Sequence, residues 1–466
     1  MDTFKKIAIG VGIGLAVSAY LQHGKLSFVP PHNHILHMSK LTAMKERHEV
    51  EKGEPAQWSR RFRNTTLTCF QSTNTEKERE EQATKEDVRA LTAAERSEKS
   101  VHLKPALSVV ARKTHAANHF RITQLVSRVE QCFPNAIATV SASGQQRTYA
   151  DFANRIKRAA ASFVNELEMH PGDRVAILAM NSESYLEAFF SISYAGALPV
   201  PLNIRLSTQE LVDTLKDCAC SFLMVDEPLF SHITQLKGAV GSIRKVITLG
   251  VIDSDHSVPP GSVNMETLIE SHRPLVDAVH FTGNDEIPDG VFGIFYTGGT
   301  SGKAKGVMLT HEGLIFNAYT ITNMVRYTEG IKYLHATPMF HLASGTAIFG
   351  VTMTGGTHVF IPKFTPDGAL RTIQEQKITH ALLVPSMFQM LLSAPNLNSY
   401  DLRSVRYFNY GGSPMLEKVL HGAMKAFPGA KFIQGYGMTE ASVSIFTRVT
   451  LEKHAVTKLT WFIIII

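Results

Sequence analysis

The sequence predicts an α/β protein whose parallel sheets are covered by helices on both faces. Three observations carry that expectation. Apolar runs of strand length recur as RVAILAM (174–180), LPVPL (198–202), SFLMVD (221–226) and KVITL (245–249). They are continuously apolar rather than alternating, as strands buried on both faces are. Helix-start signals fall among these runs, and strands alternating with helices argue for βαβ units. The composition is globular, 44% apolar and 19% charged over 466 residues, a length that suits roughly two or three cores.

Taken in order, residues 1–24 stand apart. Lys5 and Lys6 precede an apolar run over 7–21. That run is shorter than the ~20 residues needed to span a bilayer as a helix. Val17-Ser18-Ala19 reads as a cleavage site, so the segment is a candidate signal peptide or membrane anchor. Its GVGIG lacks the spacing and the preceding strand of a dinucleotide-binding turn. Residues 25–117 form a polar, charge-rich linker with mixed signs, in which Glu81 and Lys85 make one favourable i,i+4 pair. PHNHILH (31–37) has three histidines but no further ligands beside it, so no metal site is assigned there.

From 118 the α/β pattern begins and runs to 455. Thr148 and Asp151 read as a capping box opening a helix through Glu166. Ser182 caps the helix after 174–180, and Ser207 with Glu210 forms a second capping box. Residues 291–296 form a strand and 307–309 its return. Thr310 caps a helix carrying Leu314, Ala318, Ile321 and Val325 on one face. A further helix is expected to begin near Pro414.

Charge and cysteines narrow the function. The 47 Lys and Arg against 41 Asp and Glu leave a net charge of +6, small for this length. With no arginine-rich patch interleaved with aromatics, a nucleic-acid partner is not expected. The 4 cysteines (Cys69, Cys132, Cys218, Cys220) are too few and scattered for a disulfide framework, so free thiols are expected.

YTGGTSGKAKG (296–306) lies between two strands. Gly298, Gly299 and Gly302 let backbone N–H groups turn inward without a Cβ in the way. Thr297, Thr300 and Ser301 add hydroxyl donors, and Lys303 and Lys305 add charge. Together these suit a polyphosphate. A Walker A loop is excluded, because Thr297 stands where its first glycine belongs and Ala304 follows Lys303. A Rossmann turn is excluded because Gly298 and Gly299 are adjacent.

This stretch, extended to YTGGTSGKAKGVMLTH, resembles the signature of the acyl-adenylate-forming, AMP-binding superfamily, which includes acyl-CoA synthetases. Ala304 replaces the usual proline, which loosens the loop but removes no phosphate donor. Further motifs follow in family order: HATPMFHLASG (335–345), THALLVPSM (379–387), NYGGSPM (409–415) and QGYGMTEAS (434–442). RTYADF (147–152) and MHPGDRVAIL (169–178) resemble the family's amino-terminal lobe. The resemblance implies the family's large N-terminal domain, with two packed βαβ-type sheets and a smaller β subdomain.

It also implies an ATP-dependent acid–CoA ligase that makes acyl-AMP and then acyl-CoA, with a fatty acid as the expected substrate. ATP, Mg²⁺ and coenzyme A are the implied cofactors. Residues 297–305 would grip the β and γ phosphates. Thr439 would bond an α-phosphate oxygen, and Glu440 would bind Mg²⁺. Gly411, Gly412 and Ser413 would contact adenine through backbone, with Tyr436 packed near the purine. Gln434, Gly435 and Gly437 belong to the same nucleotide motif. His341 would sit by the acyl carboxylate. Taken singly, Tyr436 is better read as a core aromatic, Glu440 as a cap, His341 as a structural histidine and Gly411-Gly412 as an ordinary turn. Their order in the chain favours the site.

After Glu440 the family's pattern continues with a Thr-Gly-Asp motif for the ribose hydroxyls, a hinge, and a small domain bearing a lysine for the acyl carboxylate and phosphate. No Thr-Gly-Asp follows Glu440 here. TRVTLEKHAV still resembles the family, whereas KLTWFIIII does not, which sets 456–466 apart as an apolar tail. Lys453 and Lys458 stand in the wrong context to replace the lysine. The expectation is an impaired ligase. The alternative is a catalytically inactive nucleotide- or acyl-binding relative, tethered to a membrane by residues 7–21.

Overall fold

A computed structural model of the chain describes residues 120–252, 258–298, 304–441 and 444–449. The segments expected at 1–24, 25–117 and 456–466 lie outside them.

In chain order the helices and strands are α1 (Thr123–Cys132), β1 (Ile137–Val140), β2 (Gln146–Thr148), α2 (Tyr149–Asn165), β3 (Arg174–Leu178), α3 (Glu183–Tyr194), β4 (Leu198–Pro201), α4 (Thr208–Asp217), β5 (Phe222–Asp226), α5 (Ile233–Ala239), β6 (Lys245–Leu249), β7 (Ser262–Asn264), α6 (Met265–Ser271), β8 (Val291–Thr297), β9 (Lys305–Thr310), α7 (His311–Val325), β10 (Lys332–His335), α8 (Leu342–Met353), β11 (Thr357–Phe360), α9 (Pro366–Gln376), β12 (His380–Leu383), α10 (Pro385–Leu392), β13 (Tyr407–Tyr410), α11 (Glu417–Ala426), β14 (Lys431–Gly437) and β15 (Ser444–Val449).

The four apolar runs become β3, β4, β5 and β6. With β7 they form a parallel five-stranded sheet in the order β4-β3-β5-β6-β7. A second, eight-stranded sheet runs β15-β14-β13-β12-β10-β11-β1-β2, parallel except for its two antiparallel edge pairs. The β8–β9 hairpin forms a separate antiparallel pair.

Local signals set the helix starts as expected. In both capping boxes the cap hydroxyl accepts from the third helical N–H, and that residue's carboxylate accepts from the cap N–H: Thr148 with Asp151, and Ser207 with Glu210. Ser182 accepts from Tyr185 N–H at 3.1 Å and Thr310 from Gly313 N–H at 3.1 Å. The expected stripe Leu314, Ala318, Ile321 and Val325 is buried. One start differs. The helix expected near Pro414 begins at Glu417, because the chain stays extended through Leu416 while Met415 is buried as an anchor. Cys132, Cys218 and Cys220 are free thiols.

The hairpin is locked into the core by aromatics. Phe292 lies 5.4 Å from Phe189 and 5.5 Å from Phe349, ring centre to ring centre, in the tilted and edge-to-face arrangements that aromatic pairs prefer. Gly293 passes so close to β4 that an added Cβ would lie 2.5 Å from the Pro199 carbonyl oxygen. Beside this core, Arg155 of α2 donates to both oxygens of the fully buried Glu187 (2.6 and 2.9 Å) and to Glu266 (2.7 Å), tying α2, α3 and α6 together.

The eight-stranded sheet buries a histidine pair. Thr352 donates its hydroxyl hydrogen to Ile348 O (2.7 Å), so it accepts from His358 Nε2–H (3.0 Å). His358 Nδ1 is then bare and accepts from His335 Nε2–H at 2.9 Å. Both rings are neutral, and burial pushes His335 down to about 3. His335 Nδ1 is left without a partner.

Candidate active site

The glycine-rich loop begins where β8 ends. Tyr296 donates to the Asp217 carboxylate at 2.6 Å, pinning the loop's first residue to the end of α4. Gly306 allows this packing, since a Cβ there would lie 3.0 Å from the Tyr296 ring. Thr297 pairs with Lys305 across the hairpin, and Gly298 has open space around its Cα. Lys305 is exposed. Gly299, Thr300, Ser301, Gly302 and Lys303 lie outside the described residues. Thr297 Oγ1 lies 3.5 Å from Glu440 Oε1. That contact is long for a hydroxyl–carboxylate bond, but it brings together two motifs 143 residues apart.

Gly411, Gly412 and Ser413 follow β13, and Gly435, Tyr436 and Gly437 finish β14 beside them. The strands are parallel, with Tyr410 opposite Gln434. Gly411 approaches its neighbour so closely that an added Cβ would meet Gly435 O at 2.3 Å. Gly412 has φ +75°, a conformation that favours glycine. Gln434 is buried, whereas Tyr436 is 36% exposed and so is no core aromatic. Thr439 and Glu440 sit on a single 3₁₀ turn, Thr439–Ala441, directly after β14.

His341 occupies the N-cap position of α8, but its side chain makes no capping bond. Partial desolvation and the nearby Arg205 charge lower its pKa. A neutral imidazole therefore lines this edge near pH 7. The loop from β10 to α8, like those after β13 and β14, leaves the C-terminal end of a parallel strand in the same sheet. Ligands of open α/β sheets bind at that edge.

Two residues escaped the sequence reading. Asn181, 5% exposed, reaches from the end of β3 into the loop before His341. Asp226, at the end of β5, accepts from Met180 N–H at 2.7 Å, and burial pushes its carboxyl up to about 6. The available signal was position, since each is a polar residue directly ending a buried apolar run. Among the described residues no helix is long and apolar enough to cross a membrane, and the run at 7–21 lies outside them.

Comparison with known proteins agrees with this geometry. A family model described as AMP-binding enzyme matches residues 126–461. Feruloyl-CoA synthase of an Amycolatopsis species is 31% identical over 316 residues, covering 67% of this chain and 58% of its own. 4-Coumarate–CoA ligase 1 of Petroselinum crispum is 30% identical over 312 residues, covering 64% and 54%. The chain thus spans somewhat over half the length of these relatives. Among solved structures, the inhibitor-bound N-terminal domain of FACL13 from Mycobacterium tuberculosis superposes with a TM-score of 0.63 at 25% identity, covering 73% of this chain and 81% of that one. ATP-bound MatB from Rhodopseudomonas palustris superposes with a TM-score of 0.59 at 25% identity, covering 70% and 62%. With the loop of Thr297 facing Glu440 and Gly411 seated against Gly435 in one fold, the chain belongs to the AMP-binding enzyme family.

Proposed function

We propose that this chain carries the adenylation site of an AMP-forming acid–CoA ligase. In the first step a carboxylate oxygen attacks the α-phosphorus of ATP, the bond to the β-phosphate oxygen breaks, and pyrophosphate leaves. In the second the thiol sulfur of CoA attacks the acyl carbon and AMP leaves. Positioning and electrostatics carry such reactions. The observation that supports this reading most is the approach of Thr297 to Glu440, since one site must hold both ends of a triphosphate.

The residues divide by task. Residues 297–305 hold the β and γ phosphates, and Thr439 an α-phosphate oxygen. Gly411, Gly412 and Ser413 hold adenine through backbone, and Tyr436 packs near its ring. Gln434, Gly435 and Gly437 shape the strand end beneath the nucleotide. A neutral His341 hydrogen-bonds the acyl carboxylate without adding charge to it. Glu440 offers one exposed carboxylate, a hard oxygen ligand that would hold Mg²⁺ beside the phosphates. When bound, the ion neutralises phosphate charge.

The motifs at 335–345 and 379–387 favour a fatty acid, whereas the curated relatives are named for aryl acids. Acid-dependent exchange of labelled pyrophosphate into ATP tests the proposal with a panel of both. Exchange with one class fixes the substrate. AMP binding with neither exchange nor tighter binding of an acyl-adenylate analogue for any acid would replace the ligase reading with that of a nucleotide-binding relative.

A further inference from the structure

We infer that Asn181 is a positioning residue for the loop that carries His341. Both of its amide hydrogens and its oxygen are engaged, and all of its partners are backbone atoms of that loop or of the β10 residue that enters it. Nδ2 donates to His335 O at 3.1 Å and to Thr337 O at 2.9 Å, while Oδ1 accepts from Met339 N–H at 2.9 Å. This pattern also fixes the amide's orientation, because carbonyls must face the nitrogen and the N–H must face the oxygen.

The two ends of this bridge belong to different sheets. Asn181 follows β3 of the five-stranded sheet, and its partners run from His335, the last residue of β10 in the eight-stranded sheet, to Met339. Behind it, Met180 N–H is held by Asp226 at the end of β5. A line of hydrogen bonds therefore runs from β5 through residues 180 and 181 to Met339, two residues before His341. Within the loop, His341 N–H reaches back to Pro338 O (3.2 Å) and the Ser344 hydroxyl donates to Thr337 O (3.1 Å). Removing the amide orphans the Met339 N–H and strips one donor from each carbonyl, leaving His335 O with Ile361 N–H (3.4 Å) and Thr337 O with the Ser344 hydroxyl. The unpaired N–H in a buried segment drives the loop to shift.

No other side chain of similar size matches two acceptors and one donor. Aspartate would turn an oxygen towards two carbonyls. Leucine would satisfy none of the three.

The role of His341 at the acyl carboxylate rests on the adenylation reading, so the test separates the two. Titration calorimetry on the full chain measures AMP and sulfamoyl adenosines bearing an aroyl or a fatty acyl group, unhydrolysable stand-ins for the acyl-adenylate. Asn181→Ala is expected to bind AMP within about twofold of the parent and the acyl analogue at least about tenfold more weakly. In a His341→Ala background the same change is expected to cost little more. NMR of labelled histidine, with His341→Gln for assignment, is expected to show the His341 midpoint moving up towards that of an ordinary histidine in Asn181→Ala. Equal losses for AMP and analogue, or losses that add independently of His341, overturn the inference. So does an unmoved His341 midpoint, a readout that needs no ligand. A parent chain that binds AMP but gains nothing from the acyl group refutes the role of His341 while the NMR still tests the bridge. If Asn181→Ala fails to fold, Asn181→Asp, which keeps the volume and the acceptor for Met339, is read the same way.

Discussion

Replacing Gly411 by alanine should damage nucleotide binding far more than it damages the fold. The added Cβ would lie 2.3 Å from the carbonyl oxygen of Gly435, where ordinary contact starts at 3.4 Å. The obstacle is backbone, with no side chain to rotate away, so the tips of β13 and β14 must part by about 1 Å. Parting is opposed by the Tyr410–Gln434 pairing immediately before it. Overpacking of this kind costs about 1–3 kcal/mol, which a domain this size survives. A displacement of about 1 Å in a positioning element costs up to about a hundredfold in function. The expected result is a loss of about 10- to 100-fold in AMP affinity by titration calorimetry, with a cooperative thermal transition only a few degrees lower. Gly355→Ala, before β11 towards the opposite edge of the same sheet, is the control. Its φ of +71° makes alanine strained, by about 1–2 kcal/mol, and its added Cβ would meet the Phe133 ring at 2.6 Å. That variant should lose comparable stability and keep most of its AMP affinity. If Gly411→Ala binds AMP like the parent, the turn is not the adenine site. If both variants lose affinity alike, the effect is general destabilisation, and the reasoning from the Gly435 contact fails.

Three further outcomes follow from the same geometry. Glu440→Gln keeps an acceptor for Thr297 but removes the charge, so Mg²⁺ should cease to strengthen ATP binding while AMP binding holds; calorimetry with and without Mg²⁺ decides. Acid should unfold the chain early. His335 and His311 are pushed by burial to about 3 and His380 to about 4. Their stabilising neutrality is fully present above the unfolded value near 6.5 and is lost as pH falls below it, at up to about 2 kcal/mol per histidine between pH 7.5 and 5. Asp226, raised to about 6, has the opposite sign and offsets part of this. A urea midpoint unchanged from pH 7.5 to 5 contradicts the account. Arg155→Met leaves Glu187 fully buried with Arg147 as its remaining cation, 3.7 Å away, and should cost about 3–5 kcal/mol in urea unfolding. Adding Glu187→Leu should recover most of that loss, because the penalty lies in the orphaned charge.

What the sequence made legible was whatever a few neighbouring residues decide. The capping boxes at Thr148 and Ser207 are local hydrogen-bond exchanges, and each formed as read. The runs at 174–249 became strands because a continuous apolar stretch has no exposed face to offer. Partnership between distant segments was not legible. β1 pairs with β11, so that Thr139 lies opposite His358, and nothing near either residue announces it. The meeting of Thr297 and Glu440 was expected only from the order of the motifs. Asn181 was hidden for a sharper reason. Its partners are two backbone carbonyls and one backbone N–H, atoms that every residue type carries, so no letter at positions 335, 337 or 339 could point back to it. Beside Ser182 it reads as an ordinary residue before a helix cap. The rival readings at the site are narrowed by surroundings rather than residue type. Tyr436 is too exposed to be core, and the His341 side chain does not cap its helix. In the same way burial holds His335 and His358 neutral, and the Thr352 hydroxyl fixes their tautomers, with no sign of either in their neighbouring residues. Chemistry in this fold is therefore assigned by what surrounds a side chain, and the surroundings are supplied by strands far apart in the chain.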